Sequence, residues 1–398
     1  MKFTQIDGGV LVAEDFVAAG VACGVKVEGS DLMMLHSLRP ATAAATITTN
    51  RFRAAPTYVT ERHIADGSAR TVVTNSGNAN AATGTQGLAS AERMAELAAE
   101  LTGVPVEETL VCSTGRIGVQ LPMDCIEVGI RNAADSLSRD ADEEAARAIM
   151  TTDTVPKRCA VEFDAGGERI HLGGMTKGAG MICPNMATML CFICTDLAID
   201  PEPMRIALRE AVGLSFNCIS VDGDMSTNDT VILLANGAAG GNRIESPASP
   251  GFEAFQAALT FVTQDLAQKI ARDGEGSSKF VTVHVTGAKT YEDAHSVARA
   301  VTNYTLVKTA AWGGDFNWGR TAAAVGASGV DLDPAKVEIA IGGITAFSAG
   351  EAVQYDLQKA AKVATADELE IAIDLGAGSE SATCWTCDMT PQFVELNA

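Results

Sequence analysis

The stretch Gly173-Gly-Met-Thr-Lys-Gly-Ala-Gly-Met-Ile-Cys-Pro-Asn-Met-Ala-Thr-Met-Leu190 sets a threonine, Thr188, directly after the small Ala187. The pair stands between a glycine-rich loop and an apolar run, Met189 to Thr195, that reads as a strand. That arrangement suits a peptide bond that cuts itself. A threonine hydroxyl inside a chain is a weak nucleophile, but breaking the Ala187–Thr188 bond would place a new α-amine beside it as a built-in base. With an unperturbed pKa of about 7.7 to 8.0, such an amine accepts and returns a proton near neutral pH. A lone Ala-Thr pair more often just opens a buried strand, so the residues around it decide the reading.

Outward from this stretch, short apolar strands alternate with Ala-rich helices. Leu88, Ala91, Ala95, Ala98 and Leu101 form a helical stripe after a loop, Asn75 to Gly87, rich in Asn, Gly and Thr. Asp140 to Met150, with acidic residues in its first turn, Met204 to Val212 and Phe252 to Ile270 read as further helices. Leu110 to Cys112, Met189 to Cys194, Val231 to Leu234, Phe280 to Val285, Val337 to Ile341 and Leu369 to Leu375 read as strands. The cluster Asp273-Gly-Glu-Gly-Ser-Ser278 is the clearest break in composition, and it predicts one domain over 1–280 and a smaller one over 281–398. Alternation of this kind permits a doubly wound parallel sheet as readily as a layered pair of sheets.

Aromatics are only 5% of the 398 residues, so the core is expected to be aliphatic side chains packed closely around glycines. A formal charge of −21 argues against nucleic acid, whose phosphates need a basic face. No leader pattern opens the chain and no apolar window approaches about 18 residues, which predicts a soluble, cytoplasmic protein. Ten cysteines include two Cys-x-x-Cys pairs, Cys191/Cys194 and Cys384/Cys387, that in principle suit zinc. Cys191 and Cys194 fall in a strand-like run that sends them to opposite faces, and neither pair has the Gly-containing turn of a zinc knuckle. They are read as ordinary buried thiols in a reducing compartment, with no metal expected. The acidic run Asp222, Asp224, Asp229 lacks the twelfth-position carboxylate of a calcium loop and reads as a turn capping backbone N–H groups. Five histidines, at 36, 63, 171, 284 and 295, stand in no motif.

The run Pro184 to Leu190, with the glycines before it, resembles the processing site of the ornithine acetyltransferase (glutamate N-acetyltransferase) family. The resemblance extends through Asn75-Ser-Gly-Asn-Ala-Asn80, Cys112-Ser-Thr-Gly-Arg-Ile-Gly118, Thr151-Thr-Asp-Thr154, Val221-Asp-Gly-Asp-Met-Ser-Thr-Asn-Asp-Thr230, Arg272-Asp-Gly-Glu-Gly276 and Trp385-Thr-Cys-Asp388. It implies a four-layer α/β/β/α sandwich, N-terminal-nucleophile-like and self-processing, with a smaller α/β C-terminal domain. It also implies cleavage between Ala187 and Thr188 into an α chain, 1–187, and a β chain, 188–398, assembled as a heterotetramer with two copies of each.

By the same resemblance, Thr188 is nucleophile and base, and the oxyanion is held by the Thr114 side chain and the Gly115 backbone. Cys112 to Gly118 follows a strand and carries two glycines three residues apart, so its backbone can turn sharply and aim donors at one point. Lys177, eleven residues before Thr188, matches a substrate-binding lysine. Its surroundings contain neither GxGxxG nor a Walker pattern, so they are no phosphate loop. Thr151, with Thr152 one residue away as a near-equal candidate, Glu275 and Asn397 match further substrate contacts, Glu275 suiting an ammonium group. The chain departs from the family in two places. It ends at Ala398 where members continue a few residues to a terminal threonine, and it has Cys183 where a His often precedes Pro-Asn; the cysteine is expected to be tolerated.

The implied activity moves an acetyl group from N2-acetylornithine to glutamate through an acetyl-threonine, yielding ornithine and N-acetylglutamate for arginine synthesis without metal or cofactor. Some members also accept acetyl-CoA, and the sequence leaves that open. The alternative within catalysis is an aminopeptidase or amidase of related fold, in which water takes the acyl group. A non-catalytic binding protein of this fold would be expected to have lost the nucleophile or the oxyanion motif, and this chain keeps both.

Overall fold

The computed structural model describes residues 3–183 and 189–398. The expected cleavage pair, Ala187 and Thr188, lies outside the described residues. In chain order the strands are β1 (Phe3–Ile6), β2 (Phe16–Val21), β3 (Leu32–Ser37), β4 (Thr42–Ile47), β5 (Thr71–Asn78), β6 (Thr109–Arg116), β7 (Lys157–Ala165), β8 (Glu168–Lys177) and β9 (Leu190–Thr195). They continue with β10 (Ile219–Ser220), β11 (Thr230–Ala235), β12 (Phe280–Ala288), β13 (Glu338–Ile341), β14 (Ile344–Ser348), β15 (Glu351–Ala352), β16 (Glu368–Asp374) and β17 (Glu380–Cys387). The helices are α1 (Ala55–His63), α2 (Gly84–Thr102), α3 (Met123–Asp135), α4 (Asp142–Ala148), α5 (Pro201–Gly213) and α6 (Phe252–Arg272). After them come α7 (Tyr291–Asn303), α8 (Thr305–Gly313), α9 (Trp318–Gly326), α10 (Leu357–Ala364) and α11 (Pro391–Asn397).

The chain forms two compact units. The first takes residues 3–178, 189–217 and 225–270; the second takes 179–183, 218–224 and 271–398. Unit 2 thus draws two short segments from well inside the first 280 residues.

Unit 1 is the α/β/β/α sandwich. One sheet has the order β1-β7-β8-β9-β11-β4 and the other β2-β3-β5-β6. Period-two alternation divides single strands between two cores. In β3, Met33 and Leu35 face the inter-sheet core with Phe192, Cys194 and Ile232 of the larger sheet. The alternate residues Leu32 and Met34 pack with Met94, Leu97 and Ile130 of α2 and α3. Val72 and Val73 of β5, and Leu110 and Val111 of β6, divide in the same way. On the far side of the larger sheet, α5 packs on β4, and Val262 and Leu266 of α6 lie against Gly174. Strands β9 and β11 are consequently buried on both faces, which is why they read as unbroken apolar runs. The same alternation puts Cys194 in the inter-sheet core and Cys191 on the opposite face of β9.

Unit 2 is built on a seven-stranded sheet of order β10-β17-β12-β16-β13-β14-β15. Helix α7 packs on β12 and β17, and α9 on β13. Strand β16 buries Leu369, Ile371 and Ile373 while Glu368, Glu370 and Asp374 are exposed. No helix among the described residues is long and apolar enough to cross a membrane.

Four local expectations change. Gly173 and Gly174 do not open a loop, because β8 continues to Lys177. Gly173 is small because the chain crosses it closely: a Cβ there would lie 1.9 Å from the Gly9 carbonyl oxygen. Likewise Thr114 and Gly115 belong to the end of strand β6 rather than to a turn after it, and Asn75 to Asn78 extend β5 rather than starting a loop. The helix expected over 140–150 is shorter, Asp142–Ala148.

Phe192 is wholly buried between the sheets, whereas Phe52 is 78% exposed. Phe192→Ala is expected to destabilise the protein by about 3–5 kcal/mol through lost burial and a residual cavity. Phe52→Ala is expected to stay within about 0.5 kcal/mol. Denaturant titration of both variants checks the contrast.

Candidate active site

Strands β5 and β6 run parallel with Gly77 opposite Gly115. Gly115 has φ +133°, and a Cβ there would lie 2.2 Å from the Gly77 carbonyl carbon, so only glycine fits. Thr114, one residue earlier and half-buried, receives a hydrogen bond from Lys177 Nζ at 3.3 Å. Lys177 ends β8 and is only 7% exposed; its Nζ also donates to Thr151 Oγ1 at 2.6 Å. Unit 1 therefore gathers Thr114, Thr151 and Lys177 from three separated stretches at the strand end that carries Gly115.

Beneath them lies Asp153. Its carboxylate accepts from Lys157 Nζ at 2.6 Å, from the Gly178 N–H at 2.7 Å and from the Thr151 N–H at 3.0 Å. Burial alone would raise this carboxyl, but the ammonium groups of Lys177 and Lys157 and the Gly178 N–H outweigh it and hold it at about 2. Asp153 stays ionised and pins the backbone on either side of the Lys177 and Thr151 side chains. Lys26, whose Nζ donates to the Met150 carbonyl at 3.1 Å, adds a further cation to this region; burial lowers its pKa.

Asp229 behaves oppositely. It is fully buried, and burial pushes its carboxyl well above the usual range despite hydrogen bonds from Ser226 and Thr48 and the field of Lys177. Of the acidic run, Asp222 does cap a turn, accepting from the Met181, Ile182 and Asp224 N–H groups at 2.6, 2.9 and 3.0 Å. Asp229 also receives a backbone hydrogen bond, from the Met189 N–H, but it sits in the interior, where burial favours its neutral form. Its neighbour Asn228 donates through Nδ2 to the Ala79 carbonyl at 2.6 Å and the Ser113 carbonyl at 2.8 Å. Asn75 accepts from Ser113 Oγ at 2.6 Å. The Asn-rich motif and the Thr-Asn-Asp motif thus brace the ends of β5 and β6.

In unit 2, Glu275 and Asn397 meet: Asn397 Nδ2 donates to Glu275 Oε2 at 2.8 Å, and the Glu275 N–H donates to the Ala179 carbonyl at 2.9 Å. Cys183 is buried, and its sulfur accepts from the Arg299 guanidinium at 3.0 Å. Thr152, unlike Thr151, makes no hydrogen bond to Lys177. The sequence reading gave no role to Asp153 or Lys157, and it took Asp229 only as part of a turn that caps backbone N–H groups. Asp153 stood inside a quoted motif, and a charge locked among threonines was the signal that pointed to it.

The model of the ArgJ family matches residues 17–398 of the chain. The chain is 49% identical to the arginine biosynthesis bifunctional protein ArgJ of Symbiobacterium thermophilum, over 98% of each chain. It is 45% identical to the glutamate N-acetyltransferase of Methanothermobacter thermautotrophicus, over 100% of this chain and 98% of that one. Among solved structures, ornithine acetyltransferase complexed with ornithine from Mycobacterium tuberculosis is 38% identical and covers 47% of this chain and 100% of that one, with a TM-score of 0.44.

Asp153→Asn removes a counter-charge from two buried lysines and is expected to cost about 3–5 kcal/mol at neutral pH. Asp229→Asn, similar in shape to the neutral acid that burial favours, is expected to stay within about 1 kcal/mol. Because the folded-state pKa of Asp153 lies below its unfolded value, its contribution is whole above about pH 4 and fades as pH falls toward 2. Denaturant titrations of wild type and Asp153→Asn should accordingly converge across that window.

Proposed function

The chain belongs to the ArgJ family, and from that premise we propose that it is a self-cleaving acetyltransferase carrying acetyl from N2-acetylornithine to glutamate in arginine biosynthesis. The observation that carries the reading is the gathering of Thr114, Thr151 and Lys177 at the Gly115 strand end. A cation and hydroxyls at one point suit a carboxylate-bearing substrate and a developing oxyanion. Alone they would serve acyl transfer to water equally well; the acetyltransferase name of a full-length relative favours an amino-acid acceptor.

In maturation, the Thr188 hydroxyl attacks the Ala187 carbonyl, the amide C–N bond breaks, and the resulting ester is hydrolysed by water. Ala187 leaves with a carboxylate and Thr188 gains a free α-amine. In turnover, that amine takes the hydroxyl proton as Thr188 Oγ attacks the acetyl carbonyl of the donor. Negative charge collecting on the carbonyl oxygen is met by the Thr114 hydroxyl and the Gly115 N–H. Collapse expels ornithine, whose amine takes the proton, and leaves an acetyl ester on Thr188. The glutamate amine then attacks the ester, and the same groups act in reverse. Lys177 receives a substrate carboxylate, with Thr151 fixing its ammonium. Glu275, oriented by Asn397, contacts substrate through its carboxylate. The fragments assemble as two copies of each, and the protein works in the cytoplasm.

Denaturing mass spectrometry is expected to resolve chains of 187 and 398 − 187 = 211 residues, whereas Thr188→Ala should remain one inactive 41.2 kDa species. An active protein that stays intact would overturn the proposal. In protein already cleaved, Thr114→Val is expected to lower kcat by about 100- to 1,000-fold, as loss of one oxyanion donor does. Acetyl release that ignores glutamate would point instead to a hydrolase.

A further inference from the structure

Unit 2 holds a side-chain cluster that the acetyl transfer does not use. The Sγ atoms of Cys218 and Cys384 and a ring nitrogen of His295 lie within 4.8 Å of one another. Cys218 immediately precedes β10, which pairs in parallel with β17 through Ile219 and Trp385, so one step back along the register sets Cys218 beside Cys384. His295 comes from α7, packed on β17, and stacks against Tyr291 one turn earlier, whose hydroxyl lies 3.9 Å from Cys218 Sγ. Three separate segments therefore converge on one point with two soft sulfurs and one imidazole. Cys384 finds its thiol partner in Cys218 rather than in Cys387, which is why Cys-x-x-Cys spacing did not point here.

We propose that Cys218, His295 and Cys384 form a binding site for one zinc ion, which joins the 218–224 segment to β17 and α7. Ligand atoms around a shared tetrahedral zinc lie about 3.5–3.8 Å apart, given Zn–S of about 2.3 Å and Zn–N of about 2.0 Å, so adjustments of about an ångström close the site. The donor set has no carboxylate, which disfavours calcium and magnesium, and two thiolates neutralise a divalent ion and so ease its burial. Both cysteines are buried while His295 is half-buried, so an ion can enter past the imidazole. A hydrogen bond from Cys384, with others from His295 and Tyr291, holds the Cys218 thiol at about 5 against the effect of burial, and burial pushes Cys384 well up. Zinc binding forms two Zn–S bonds and one Zn–N bond and sends the thiol protons it displaces to solvent, with no change of oxidation state.

The test uses the full-length protein, reduced, stripped with a chelator, incubated with zinc chloride and desalted, with metal measured by mass spectrometry. The expected result is one zinc per chain, and at least a tenfold loss of bound zinc in Cys218→Ser and in Cys384→Ser. Cys125→Ser, outside the cluster, should bind like wild type. Cobalt(II) should give a thiolate-to-metal absorption band in wild type that both cluster variants lose. Should the buried serines impair folding, His295→Gln, at a half-buried position, is expected to weaken zinc binding at least tenfold. Zinc should raise the melting temperature of wild type more than that of this variant. Wild type that takes up less than a tenth of an ion per chain, or folded cluster variants that keep full stoichiometry, would overturn the proposal. So would a Cys218–Cys384 disulfide forming in place of ion binding when zinc is added without reductant, since the cluster would then be a redox pair.

Discussion

A carboxylate buried beside two lysines organises the strand-end cluster of unit 1. Asp153 is an interior charge whose burial is unfavourable by itself, and it persists because Lys157, the Gly178 N–H and the Thr151 N–H all donate to it in the field of Lys177. Taking one member away would leave others short of charge or hydrogen bonding, so the group holds together as a unit. Its product is positional. The backbone around Thr151 and after Lys177 is fixed, and the Lys177 ammonium is delivered to two threonine hydroxyls at the end of β6.

The sandwich makes this possible by burying strands on both faces. Alternate residues of β3, β5 and β6 feed an inter-sheet core and a helix-facing core, which leaves little freedom in register. A strand end held on both sides is a rigid platform, and β6 presents Thr114 and Gly115 at such an end. Gly77 opposite Gly115 lets the two strands close without side chains between them, and Asn228 ties the loop after β5 to β6. Asp229, next to Asn228, is a buried acid whose carboxyl is pushed up, so one small region holds one carboxyl shifted toward its ionised form and another shifted toward its neutral form. The difference arises from their neighbours: two ammonium groups and backbone donors face Asp153, and burial dominates at Asp229.

Much of this was legible in the sequence. The continuous apolar runs of β9 and β11 and the alternation of β16 announced strands, and the stripe from Leu88 to Leu101 announced α2. Thr114, Thr151 and Lys177 were named from motifs far apart in the chain, and the fold brings them within hydrogen-bonding reach; Glu275 and Asn397 are likewise brought together. The sequence concealed whatever depends on three-dimensional approach. Gly173 and Gly174 looked like a loop because glycine usually signals a turn, yet here they admit the chain at Gly9 and helix α6 against a continuing strand. Asp153 and Asp229 could not be told apart from other acidic residues because burial and the charges and donors packed around them, not residue type, shift their pKa values in opposite directions. Cys218, His295 and Cys384 share no spacing rule, and only strand pairing and the packing of α7 bring them together.

The account stands or falls on where the acetyl group rests in transit. Protein incubated with isotopically labelled N2-acetylornithine in the absence of glutamate, quenched in acid, digested and mapped by tandem mass spectrometry, should carry the label as an ester on Thr188, and adding glutamate before the quench should remove it. Label on any other side chain, or turnover without any labelled peptide beginning at Thr188, would contradict the account.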